Sequence, residues 1–122
     1  MQVMVVDDSR SMRRIIKSAL KRIGLTDVVE ASNGVEAIQH FGDGIPDLIL
    51  LDWNMPKMNG IEFLKRIKAH DKLKEIPVIM VTSEGRSGEV KEALEAGAAN
   101  YVVKPFEPQD LAERIETVTE FN

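Results

Sequence analysis

A doubly wound α/β fold, five parallel strands with helices on both faces, is what this sequence predicts. Two observations carry that expectation. Short apolar runs without alternation, such as Leu48-Ile49-Leu50-Leu51, read as strands buried on both faces, the condition of a parallel sheet. Between such runs lie segments whose apolar residues recur at helical spacing, so strand and helix alternate five times. Right-handed crossovers then place helices on both faces.

Val3-Met4-Val5-Val6 is the first strand, and it ends in acid, Asp7-Asp8. Either Asp8 or Ser9 can cap the helix that follows. Met12, Ile15, Ile16, Ala19, Leu20 and Ile23 share one face of that helix. Arg13, Arg14, Lys17, Lys21 and Arg22 form its wet face, and Gly24 suits the position just past its end. Residues 27–31 make a weaker strand. Asn33 caps the next helix, with Glu36 three residues on as in a capping box. Val35, Ile38 and Phe41 are expected to face the core there, and Gly42 and Gly44 break the helix. Residues 47–52 form the organising strand, four aliphatics closed by Asp52. The loop 53–60 leads into a helix with Ile61, Leu64 and Ile67 inward. Residues 77–82 are the fourth strand. The segment 83–88 is small and polar, expected to be mobile. The helix after it has a thin inner stripe of Val90, Ala93, Leu94 and Gly97, so it is expected to be the least stable element. Residues 100–103 are the fifth strand, followed by Lys104-Pro105-Phe106. The last helix starts near Pro108, a good first helical residue, with Leu111, Ile115 and Val118 inward.

Bulk composition bounds the function. The 122 residues make one domain, 1–122, large enough for its own core. A net charge of −4 argues against a nucleic-acid partner, which needs a basic face. The absence of cysteine excludes disulfides, thiol chemistry and thiolate metal sites. No apolar run approaches membrane-spanning length, and the first residues do not read as a signal peptide. The expectation is a cytoplasmic protein without membrane or nucleic-acid partners.

The polar residues fall at strand ends: Asp7 and Asp8, Asp52, Thr82 and Lys104. In open α/β sheets the carboxyl edge is where ligands bind. Carboxylates crowded there repel one another, and a hard divalent cation relieves the repulsion. Oxygen ligands without Cys, and with His40 and His70 away on helices, favour Mg²⁺ over zinc. Lys104 and the Thr82 hydroxyl would complete a cradle for a phosphoryl group. Asp52 is then a nucleophile that forms an aspartyl phosphate.

On these residues the chain resembles a response-regulator receiver domain, of the single-domain chemotaxis kind. The motifs that carry the resemblance are Asp7-Asp8, Asp52-Trp53-Asn54-Met55-Pro56 with Asn59-Gly60, Met80-Val81-Thr82, Ala96-Gly97-Ala98 and Tyr101-Val102-Val103-Lys104-Pro105-Phe106. They span essentially the whole chain in order. The resemblance implies a flavodoxin-like sheet of strand order 2-1-3-4-5. It implies Asp52 as phospho-acceptor, with Asp8, Asp52 and the Asn54 backbone carbonyl as Mg²⁺ ligands and Asp7 acting through water. Lys104 pairs with the phosphoryl group, ahead of a cis bond to Pro105. Thr82 and Tyr101 form the switch, read out on the last two helices and the strand between them. Asn54 and Glu84 flank the path of an attacking water and imply a short-lived phosphoryl group. The implied partners are a histidine kinase of the CheA type, the flagellar motor switch protein and a phosphatase, acting on a monomer. One departure is Ser9-Arg10, where enteric chemotaxis regulators carry an aromatic after the acidic pair; Arg10 lies near the rim.

Other readings compete. A phosphohydrolase using an aspartyl phosphate would want a second Asp at position 54, where Asn cannot transfer protons. A flavodoxin-like cofactor binder would want a Ser/Thr/Gly-rich loop where Asp7-Asp8 stands. A receiver excised from a longer regulator, or one serving as a phosphate sink, fits the same residues. Taken singly, each residue also has an ordinary explanation: a helix cap, a solvated lysine, a strand end, a half-buried tyrosine.

Overall fold

The computed structural model describes residues 1–53, 55, 58–83 and 87–118. Its elements run β1 (Gln2–Val6), α1 (Arg10–Arg22), β2 (Asp27–Ala31), α2 (Gly34–His40), a 3-10 turn (Phe41–Asp43), β3 (Leu48–Asp52), α3 (Gly60–Ala69), β4 (Val78–Thr82), α4 (Ser87–Glu95), β5 (Asn100–Val103) and α5 (Pro108–Val118). All five strands are parallel, in the order β2-β1-β3-β4-β5. None of the described helices is long and apolar enough to cross a membrane.

The unbroken apolar runs are the central strands. Every residue of β3 and β4 is buried, because each strand has helices on both sides. Alternate residues feed two cores. Val3, Val5, Leu48, Leu50, Ile79 and Val81 meet α1 and α5 on one face. Met4, Val6, Ile49, Leu51, Val78 and Met80 meet α2, α3 and α4 on the other. The edge strands β2 and β5 are only partly buried, which explains the weak strand signal of β2.

Local signals at the helix ends hold. Ser9 Oγ accepts from the Met12 N–H at 3.1 Å, so Ser9 rather than Asp8 caps α1. Gly24 takes φ +88° just past the end of α1, a conformation that excludes most side chains. Asn33 Oδ1 accepts from the Glu36 N–H at 2.8 Å. The Glu36 carboxylate accepts from the Ser32 hydroxyl at 2.6 Å, so the reciprocal half of the capping box is replaced by a side-chain bond. Asn33→Ala is expected to lower stability by about 1 kcal/mol, read as a shift of the urea midpoint.

Several side chains lie elsewhere than helical periodicity places them. Ile15 is exposed on α1, and Leu94 on α4. On α2, Val35 and Ile38 are 46% and 45% exposed, while Gly34 and Ala37 are the buried residues. The reason is distance. A Cβ on Gly34 would stand 3.2 Å from Met58 Sδ and from the Phe63 ring, so α2 sits too close to α3 for a large inner residue. Phe63, absent from the expected core, is fully buried and fills that space. Arg13 is not on a wet face: its side chain is 15% exposed and pairs with Glu30 at 3.1 Å. Ser87 and Gly88 belong to the first turn of α4, not to the preceding loop. Residues 84–86 of that loop lie outside the described residues. The thin anchoring of α4 is real among the described residues: Ala93 is buried, Leu94 and Gly97 are not.

Candidate functional site

The strand order sets the site. With β1 and β3 adjacent and Val6 paired to Leu51, the residues just beyond, Asp7 and Asp52, stand side by side at the carboxyl edge. Both are buried, at 1% and 7% exposure. Asp8 follows on the loop and is exposed. One carboxylate oxygen from each of Asp7, Asp8 and Asp52 lies within 4.8 Å of the others.

Lys104, immediately after β5, reaches into this group. Its Nζ donates to Asp52 Oδ1 at 3.1 Å and to Asp7 Oδ2 at 3.3 Å. The Lys104–Pro105 bond is cis, as the resemblance implies. Asp7 is held from several sides. Its N–H donates to the Ala31 carbonyl at 3.0 Å, and its Oδ1 accepts from the Ser9 N–H at 2.8 Å. Its carbonyl accepts from Arg13 Nη1 at 2.6 Å. Arg13 and Lys17 in turn pair with Glu30 of β2, at 3.1 and 3.2 Å. Thr82 is buried at the end of β4, beside β3.

Charge is unbalanced here: among the described residues, three carboxylates face one ammonium. Burial, then the neighbouring Asp7 and Asp8 charges, push the Asp52 carboxyl above its ordinary value, against the pull of Lys104. Burial alone would lower Lys104, but Asp52 and Asp7 outweigh it and raise its pKa. Glu30 feels a burial penalty too, and its hydrogen bonds from Lys17 and Arg13 overcome it, so its pKa falls. The donor set at the cluster is all carboxylate oxygen, hard and partly buried. Asp7, Asp8 and Asp52 therefore fit a Mg²⁺-sized cation and not a soft metal.

Asp7, Asp8, Asp52, Thr82 and Lys104 are thus brought to one edge, as expected. Asn54 and Glu84 lie outside the described residues. Tyr101, on the edge strand β5, is half-buried, with the Arg114 guanidinium 4.9 Å from its ring centroid. Arg114 also donates to Asn100 Oδ1 at 3.2 Å. Arg10 is exposed. The residue that sequence reasoning missed is Arg13, which ties the acidic turn to β2. Its signal was a basic residue one helical turn after the Ser9 cap, within reach of the acidic Glu30.

Nearly the whole chain is similar to known proteins. It is 51% identical over 119 residues to the chemotaxis protein CheY1 of Helicobacter pylori, covering 97% of this chain and 96% of that one. It is likewise 51% identical to a chemotaxis protein CheY homolog of Campylobacter jejuni, covering 97% and 92% of the two chains. Among solved structures, Vibrio cholerae chemotaxis protein CheY4 superposes with a TM-score of 0.88 at 34% identity, over 97% of this chain and 98% of that one. A family model matches as well, that of the response regulator receiver domain. It matches residues 3–116, and the chain belongs to that family.

Proposed function

We propose that this chain is a phosphorylation-activated switch in chemotaxis, one receiver domain that takes a phosphoryl group onto Asp52 from a histidine kinase. Its family is a signalling-switch family, and its similarity to CheY proteins supports the chemotactic output. The observation that carries the reading is Lys104 Nζ shared between Asp52 and Asp7 inside the acidic trio.

An Asp52 carboxylate oxygen attacks phosphorus in line, forming an O–P bond as the donor's N–P or O–P bond breaks. The electron pair leaves on the donor atom, which takes up a proton. Lys104 holds the nucleophile in place and meets the charge on the phosphoryl oxygens. Asp7 orients Lys104 from behind. Asp8, Asp52 and the Asn54 carbonyl, with Asp7 acting through water, would hold Mg²⁺, which would supply further positive charge at those oxygens. Thr82, one strand over, meets the phosphoryl group with its hydroxyl, and Tyr101 responds with it. Asn54 and Glu84 set the lifetime of the phosphoryl group. Apart from its own phosphorylation and the hydrolysis of the resulting aspartyl phosphate to inorganic phosphate, the chain turns over no substrate. The partners are a CheA-like kinase, the flagellar motor switch protein and a phosphatase, met in the cytoplasm by a monomer.

Trp53 follows Asp52 directly and packs against the core, so it reports on the site. Its fluorescence is expected to change on adding Mg²⁺. A further change is expected on adding acetyl phosphate, in the parent protein and not in Asp52→Asn. A folded protein that answers neither addition would overturn the reading.

A further inference from the structure

Of the α2 face that helical periodicity assigns to the core, Val35 and Ile38 are left exposed, while Phe41 just beyond packs partly against the core. Val35, Ile38 and Phe41 recur three residues apart, and Ile45 continues the stripe beyond the 3-10 turn. Ile38 and Ile45 are among the exposed large hydrophobics of the molecule. Exposed apolar stripes of this kind mark interaction sites more often than defects.

The stripe forms one wall of a groove of about 610 Å³ between α2 and α3. Phe63, Ile67 and Leu73 form its floor, with the Phe41 and Phe63 rings stacked nearly parallel at 6.4 Å. The other lip is basic: Arg66, His70 and Lys72. Arg66 and His70 are one helical turn apart, and the Lys72 N–H donates to His70 Nδ1 at 3.2 Å, which fixes the lip. Among the described residues no carboxylate lines the groove, although the chain as a whole carries −4. Nearby Asp71 is 97% exposed and lies 3.8 Å from Lys74.

We propose that this groove docks an acidic amphipathic helix of a partner protein. An apolar wall opposite a basic lip is complementary to a helix with an apolar stripe flanked by Glu or Asp. The stripe runs past the groove to Val35, longer than a compact small molecule would use. The position matters too. Helices α2 and α3 run back along the sheet, so their carboxyl ends, where the groove lies, are at the opposite edge from Asp52. A partner held here leaves the acidic edge open, and its docking does not depend on phosphorylation.

The test is methyl NMR of the full chain against a synthetic helical peptide with Leu on one face and Glu on its flanks. Saturable shifts are expected at Ile38, Ile45 and Ile67, equally in Asp52→Asn. Arg66→Glu or Lys72→Glu is expected to weaken binding roughly tenfold, the scale of a lost charge pair. Thermal melts of both variants verify that these exposed changes leave the fold intact. A Lys-flanked peptide that binds as well would overturn the proposal, as would shifts confined to α4, β5 and α5. Binding of decanoate but not of the peptide would make this a small-amphiphile site. A dimer in sedimentation that Ile38→Glu dissolves would give the face to a second copy. Either result overturns the partner-helix proposal.

Discussion

Asp52→Asn is expected to take up no phosphoryl group and, free of divalent cation, to be more stable than the parent at neutral pH. The first effect follows from removing the nucleophile. The second follows from charge. Folding moves the Asp52 carboxyl from its ordinary value of 3.8 upward, chiefly by burial and then by Asp7 and Asp8. A carboxyl whose pKa rises on folding binds its proton more tightly in the native state. Its ionised form therefore destabilises the fold at every pH above the native pKa, and the penalty is relieved as pH falls through that value. The amide keeps the shape and drops the charge, while Lys104 retains Asp7 as a partner at 3.3 Å. A gain of about 1 kcal/mol is expected with a chelator present, a rise of some 3–5 °C in Tm. The advantage should shrink as the solution is acidified. Mg²⁺ should reverse the order, because the parent gains about 2.7 kcal/mol at a hundredfold excess over its Kd and the variant binds more weakly. Calorimetry at two pH values, with and without Mg²⁺, decides it. A variant less stable than the parent at neutral pH without metal would show that the carboxylates do not strain this edge.

Gly60→Ala is expected to be the most damaging single methyl that can be added to the described chain. A Cβ at Gly60 would land on the Asp52 carbonyl oxygen and stand 3.0 Å from Trp53 Cα and 3.1 Å from Met80 Cε. Two of these neighbours are backbone, so no rotamer change relieves the overlap. The Gly60 N–H also donates to the Trp53 carbonyl at 2.9 Å, which ties the start of α3 to the end of β3. Either α3 lifts off or Asp52 moves. A loss of about 3 kcal/mol is expected in urea denaturation. The Mg²⁺ response of Trp53 should weaken with it, because the Asp52 side chain follows its own backbone. Gly88→Ala is the control. Nothing lies within 4 Å of its Cβ position, on α4, so helix propensity predicts a neutral or slightly stabilising change. Equal effects at the two positions would remove the steric argument.

How much of this was legible before the structure depended on what each residue had to do. The central strands were plain because a strand buried on both faces needs an unbroken apolar run, and β3 and β4 have one. The residues at their ends were legible as a constellation, since alternation alone aligns all carboxyl ends on one edge. The order of the strands was not contained in the alternation and came through family resemblance, and the direct contact of Lys104 with Asp52 and Asp7 came only with the structure. Helix α2 was misread because spacing reports which apolar residues share a face, not whether that face turns inward. Gly34 and Ala37 settle it by allowing close approach to Phe63, a fact about another helix. Arg13 was misread for a related reason. Its partners, Glu30 on β2 and the Asp7 carbonyl just past β1, lie outside α1, so only its place one helical turn after the Ser9 cap sets it apart from Arg14.

Lys104 meets Asp7 across 97 positions of the chain and Asp52 across 52. A ribosome delivers β1 first and β5 last, so the carboxylates emerge well before the ammonium that completes their edge. The two buried carboxylates of this edge, Asp7 and Asp52, are therefore without their cation until β5 has been made. A stalled copy that lacks β5 holds Asp7, Asp8 and Asp52 without the ammonium that ties two of them together.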